Sequence, residues 1–186
     1  MRPDPLIEAV LKSGVTLPSP SPSIGRLQAA AASDRSGPRD LAAIASLAAL
    51  ASAQLARRGI EAAADERLER LCALFKDRCT TTVELADWIG MYFVDVQPRA
   101  EDLAAHVTDN VKPAIVALRD KLGDAAWDKG SIAAVIKSTL AEHGLKMPQL
   151  AHAVRVLVCG RSQTPSLDAV LELFTREQVL FRLRSV

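Results

Sequence analysis

From Leu68 onward, apolar residues recur at helical spacing. Leu68, Leu71, Cys72 and Phe75 fall at i, i+3, i+4 and i+7 and form one face, and Leu85, Trp88, Ile89 and Tyr92 repeat that spacing. Val111, Ile115, Leu118 and Leu122 define a further stripe, and Ile132, Val135, Ile136 and Leu140 another. Leu150, Val154 and Leu157 follow, then Leu167, Val170, Leu171 and Phe174, and Val179 with Leu183 closes the series. No window alternates convincingly at period two, although Arg155 to Cys159 is rich in β-branched residues. The pattern predicts an all-α fold of about eight or nine helices.

Stop and start signals divide these stripes. Leu41 to Arg58 is a strong helix by propensity, ended by Gly59. Thr81-Thr82-Val83-Glu84 and Thr175-Arg176-Glu177-Gln178 read as capping boxes, in which a hydroxyl and an acid or amide satisfy free backbone N–H groups. Arg99 to His106 is a short helix, Pro113 sits in the first turn of the next, and Gly123 follows its end. Gly144 ends one helix, Pro148 opens another, and Gly160 closes it. Thr164-Pro165 then reads as an N-cap with proline at the first helical position. Six of the ten prolines precede Asp40, and Leu17 to Ser23 alternates serine with proline. Residues 1–40 are therefore expected to be a poorly ordered leader with short helical turns near Leu6–Leu11 and Ile24–Ala32. Val94 to Pro98 breaks the periodicity, which places helical subdomains at 41–97 and 98–186.

Composition excludes more than it selects. With 23 basic and 22 acidic residues, bulk charge does not announce a nucleic-acid partner; only the last quarter, from Leu145, is mildly basic. Cys72, Cys79 and Cys159 are odd in number and lack metal-type spacing, so they read as reduced thiols in a cytoplasmic protein. No signal segment opens the chain, and no apolar run reaches the roughly 18 residues a bilayer needs. His106, His143 and His152 have no zinc spacing and read as surface or cap histidines. Asp87, Asp109 and Asp128 suit helix caps and polar faces better than acid–base work. Trp88, Tyr92, Phe93 and Trp127 read as core fillers rather than base-stacking platforms. No Gly-rich phosphate loop or nucleophile motif is present, so the chain by itself is not expected to be an enzyme.

The most informative stretch runs from Leu145 to Leu167. Its loop from Gly160 to Thr164 lies between two helix ends, with Arg155 and Arg161 beside it. Free N–H groups at a helix start and two guanidinium forks suit an anionic, planar partner such as RNA. This stretch, together with Leu55-Ala56-Arg57-Arg58-Gly59-Ile60 through Lys76-Asp77-Arg78-Cys79-Thr80 to Trp88, resembles the C-terminal anticodon-binding region of proteobacterial glutamate–tRNA ligases. The likeness covers about residues 50–186, with K-P-A-I-V-A-L-R-D-K-L and W-D-K-G-S-I-A-A-V-I-K in the family's order.

The resemblance implies an α-helical cage of two small subdomains that grips the anticodon loop of tRNA(Glu), with neither DNA nor membrane as partner, in a monomer. It implies that Arg78 reads the third anticodon base, and that Arg155, Thr164, Pro165 and Leu167 surround the first ones. Arg161 is a candidate phosphate contact. Taken without the resemblance, Arg78 is a helix-end arginine beside Asp77, Thr164-Pro165 a helix start, and Leu167 a core residue. The full-length family enzyme uses ATP, but the H-I-G-H-like and K-M-S-K-S-like motifs of its catalytic domain are absent here, so no cofactor is expected in this chain. Three readings stay open: a free-standing tRNA-binding module, a piece of a longer catalytic ligase, and a derived protein-interaction scaffold that no longer binds RNA.

Overall fold

A computed structural model describes residues 38–185, with side chains from residue 41 on. The leader expected over residues 1–40 lies outside the described residues, except that Pro38 to Asp40 already belong to the first helix. Among the described residues there are nine α-helices, three short 3₁₀ turns and no strand. Helix α1 spans Pro38–Ala56, α2 Glu66–Phe75 and α3 Thr82–Ile89; α4 spans Ala100–His106, α5 Lys112–Asp124 and α6 Lys129–His143. Helix α7 spans Met147–Cys159, α8 Leu167–Glu172 and α9 Arg176–Arg182.

The amphipathic stripes determine how these helices pack. Helix α1 turns Ala48, Ala51 and Leu55 inward, where small side chains allow α2 and α3 to approach closely. Leu68, Leu71, Cys72 and Phe75 of α2 meet Leu85, Ala86 and Ile89 of α3 in the same core. The second group of helices, α4 to α9, is arranged about α7. That helix buries Leu150, Ala151, Ala153, Val154, Val156, Leu157, Val158 and Cys159, so nearly all sides of its second half are enclosed. The β-branched stretch from Arg155 to Cys159 is thus part of a central helix, apolar on all but the side from which Arg155 projects because neighbours cover the rest. Helices α4, α5 and α9 contact α7, while α6 lies between α5 and α8.

Local signals in the sequence mostly act as expected. Thr175 accepts from the Gln178 N–H and Gln178 accepts from the Thr175 N–H, completing a capping box. Asp128 caps α6 by accepting from the Ser131 N–H at 2.9 Å, which holds its carboxyl below the usual range. Gly144 and Gly160 end α6 and α7 with φ of 61° and 69°, a left-handed turn that glycine adopts without strain. At Gly160 a Cβ would also lie 3.2 Å from the Val96 Cβ, so a side chain there would be both strained and crowded.

Four details differ from expectation. Helix α1 ends at Ala56, two residues early, and residues 57–59 form the turn into Gly59. Gly123 lies inside α5, whose C-cap is Ala125. At the start of α3, Thr81 accepts from the Glu84 N–H, but Glu84 reaches back to the N–H and hydroxyl of Thr80 rather than to Thr81. Finally, Thr164-Pro165 does not start a helix: α8 begins at Leu167 with Ser166 as its N-cap residue. The Thr164 hydroxyl accepts from Arg155 and donates to the Pro165 carbonyl instead of capping a helix, which directs it to a partner on α7.

Candidate nucleic-acid interface

Three arginines gather where α7 and its following loop pass the ends of α2 and α3. Arg78 closes the 3₁₀ turn Lys76–Arg78 after α2 and is exposed. Arg155 projects from α7 and donates from Nε to the Thr164 hydroxyl at 2.9 Å and from Nη2 to the Pro165 carbonyl at 3.2 Å. Thr164 and Leu167 are consequently interior, only 7% and 5% exposed, and Pro165 is buried too. Burial pulls the Arg155 guanidinium below its ordinary value; the Cys159 thiol opposes that shift and the positive charge of Arg78 adds to it. Arg78 and Arg155 are therefore close enough to repel each other.

Arg161 follows the Gly160 turn and lies over the Trp88 ring, 4.3 Å from its centroid, while Nη2 donates to the Asp87 carbonyl at 3.4 Å. Trp88 in turn stacks on Phe75, 5.6 Å between centroids and 24° between planes. Asp87 points its carboxylate elsewhere, to Arg58 at 2.6 Å, and Arg58 also donates to the Val83 carbonyl. Beneath this edge lie Cys79 and Cys159. Burial pushes their thiols up to about 11 and about 12, even though Arg161 acts on both in the opposite sense. They are neutral packing groups, and among the described residues no cluster of His, Cys, Asp and Glu could hold a metal ion.

The expected site residues thus divide into two layers. Arg78 and Arg161 sit at the edge, half-buried Arg155 connects edge and interior, and Thr164, Pro165 and Leu167 shape the loop from within. Trp88 and Arg58, which position Arg161 and Asp87, were not anticipated as parts of this region; the aromatic residue preceding a polar loop at helical distance is their only trace in the sequence. Two histidines expected to be separate surface groups instead meet: His106 and His152 stack at 5.1 Å, and His152 Nδ1 bonds the Ser162 carbonyl at 3.0 Å. That bond ties the loop carrying Arg161 back to α7.

An all-helical unit with a guanidinium edge around one exposed loop belongs to a recognisable class. Residues 46–186 match the family described as anticodon binding domain, and the chain belongs to that family. The relatives are ligases: the glutamate–tRNA ligase of Leptothrix cholodnii is 64% identical over 141 residues, and that of Paracidovorax citrulli 57% over the same length. Each alignment covers 75% of this chain and 30% of the relative, so the chain spans about a third of the length of these ligases. The solved structure of a glutamate tRNA ligase from Elizabethkingia meningosepticum superposes with a TM-score of 0.69 at 16% identity, over 75% of this chain and 28% of that one, which shows a shared fold.

Proposed function

We propose that the chain binds the anticodon loop of tRNA(Glu), with Arg78, Arg155 and Arg161 facing the RNA and Thr164, Pro165 and Leu167 shaping the surface beside it. The observation that carries this reading is geometric. Arg161, held over Trp88 and bonded to the Asp87 carbonyl, lies on the loop that Arg155 fastens through Thr164 and Pro165. Exposed Arg78 is near enough for its charge to act on Arg155. Arg78, exposed at the end of a turn, can donate a bidentate pair to a base edge and discriminate between bases by roughly 1–3 kcal/mol. Thr164 has its hydroxyl in use within the protein, so its contribution runs through the loop's shape and backbone groups. Pro165 and Leu167 are buried and act in the same indirect way. Contacts of this kind suit unstacked single-stranded bases.

A module with three guanidinium contacts is expected to bind weakly, on the order of micromolar at physiological salt. Titrating the purified chain with tRNA(Glu) and with an anticodon-swapped transcript tests the reading. Tighter binding of the matched tRNA, and loss of that preference on Arg78→Ala, are the expected results. Equal affinity for both transcripts would reduce the reading to general electrostatic attraction, and no binding even at low salt would favour a protein-interaction scaffold.

A further inference from the structure

Arg161 is held in place before any ligand arrives, and the residue that does most of the holding is an indole. A free arginine side chain samples many rotamers, and ordering it for a contact costs conformational entropy. Here the guanidinium lies over Trp88 at 4.3 Å and donates to the Asp87 carbonyl, while Trp88 itself is braced by Phe75 behind it. Asp87 keeps its carboxylate on Arg58, so the group nearest Arg161 offers a carbonyl dipole and no competing ion pair. The left-handed Gly160 turn packs its Cα side closely against Val96, which limits where Arg161 can start from. Of the five N–H groups its guanidinium carries, Arg161 donates one to the Asp87 carbonyl, leaving donors for a partner.

We propose that Trp88 is a positioning residue for RNA binding: it pre-orders Arg161 from beneath so that the guanidinium meets a phosphate of the anticodon loop without reorganising. The proposal rests on the anticodon-loop reading above, and it adds a residue that does not itself touch RNA. The mechanism is cation–π attraction reinforced by planar stacking of the guanidinium; a lysine could make the first but not the second.

The test uses the whole chain and an anticodon stem-loop of tRNA(Glu), with affinity measured across a salt series. Arg161→Ala is expected to weaken binding roughly tenfold and to lower the log–log salt slope by about 0.7, the value for one single-strand phosphate contact. Trp88→Leu is expected to reproduce both changes, and the double variant to be no worse than either single one, since the two residues act as a unit. Trp88→Phe, which retains an aromatic face, is expected to recover most of the affinity. Arg161→Lys keeps the charge but not the stacking plane, and is expected to bind several-fold more weakly than the wild type. Wild-type affinity and slope in Trp88→Leu, or in Arg161→Lys, would overturn the proposal while leaving the anticodon reading intact. Should Trp88→Leu fail to fold, the Arg161→Lys arm decides alone. Absence of binding by the wild-type chain would instead overturn both.

Discussion

The arginine edge around Arg78 and the junction around Arg182 are built from the same side chain, yet they present opposite environments to it. At the junction, Arg182 is only 7% exposed and donates from Nη1 to the carbonyls of Met91 and Val158 and from Nη2 to that of Val94. It also lies over the Phe174 ring. Burial lowers its pKa, against the raising influence of the Cys159 thiol and the Asp95 carboxylate, but an arginine stays charged through such shifts. Its partners are the carbonyl-rich ends of α7 and of the 3₁₀ turn Gly90–Tyr92, where positive charge is favoured. Nearby, Tyr92 donates to the Val170 carbonyl and stacks on Phe174, and Gln178 donates to the Tyr92 carbonyl. These bonds join the α1–α3 helices to the α4–α9 helices. At the edge, by contrast, Arg155 donates to one carbonyl and one hydroxyl of the following loop, and Arg78 is exposed at the end of its turn. The difference teaches that a guanidinium enclosed by carbonyls at helix ends is structural, whereas one left exposed at an edge keeps its donors for an anion.

The sharpest way to break this comparison is to remove each arginine and measure stability. Arg182→Met strands the buried carbonyls of Met91 and Val158 and frees that of Val94, and is expected to cost about 3–5 kcal/mol in chemical denaturation, whereas Arg78→Ala is expected to change stability by less than about 0.5 kcal/mol. Equal costs at the two positions would erase the distinction.

A second test uses pH. The thiols of Cys72, Cys79 and Cys159 have an ordinary value of 9.0 and are pushed up to about 12, 11 and 12 in the folded protein, chiefly by burial. A group whose folded pKa is raised contributes stability fully present below pH 9 and lost as pH climbs toward 11–12, where only the folded state still holds the proton. Folding monitored from pH 8 to 11 is therefore expected to weaken, and iodoacetamide at pH 8 to leave all three thiols unlabelled unless the chain unfolds. Labelling of folded Cys79 at that pH would mean that Arg161 activates it.

The smallest effect sharpens the boundary between the two regions. Arg155 is half structural, bonding Thr164 and Pro165, so Arg155→Ala is expected to cost an intermediate 1–2 kcal/mol in the same denaturation series. Thr164→Val should cost less, and the double variant less than the sum, because both remove one shared bond.

The helical periodicity was legible because each helix buries a stripe that local spacing alone defines: Leu68, Leu71, Cys72 and Phe75 are all fully enclosed, as are Ile115, Leu118 and Leu122. Capping by Thr175 and Asp128 and termination at Gly144 and Gly160 are likewise local chemistry. The Thr164-Pro165 start was misread because a hydroxyl with a distant partner looks the same in sequence as one free to cap. Arg182 was visible only as one more positive charge in the last quarter of the chain, since its partners lie 24 to 91 residues away.

What the sequence by itself determined is the set of helices, their inward faces and the family they belong to, because these follow from periods of three to four residues and from short-range caps. Which arginines become struts and which remain at an open edge was decided only by the tertiary structure. A guanidinium's role depends on the carbonyls, rings and like charges that folding brings around it, and those come from segments far apart along the chain.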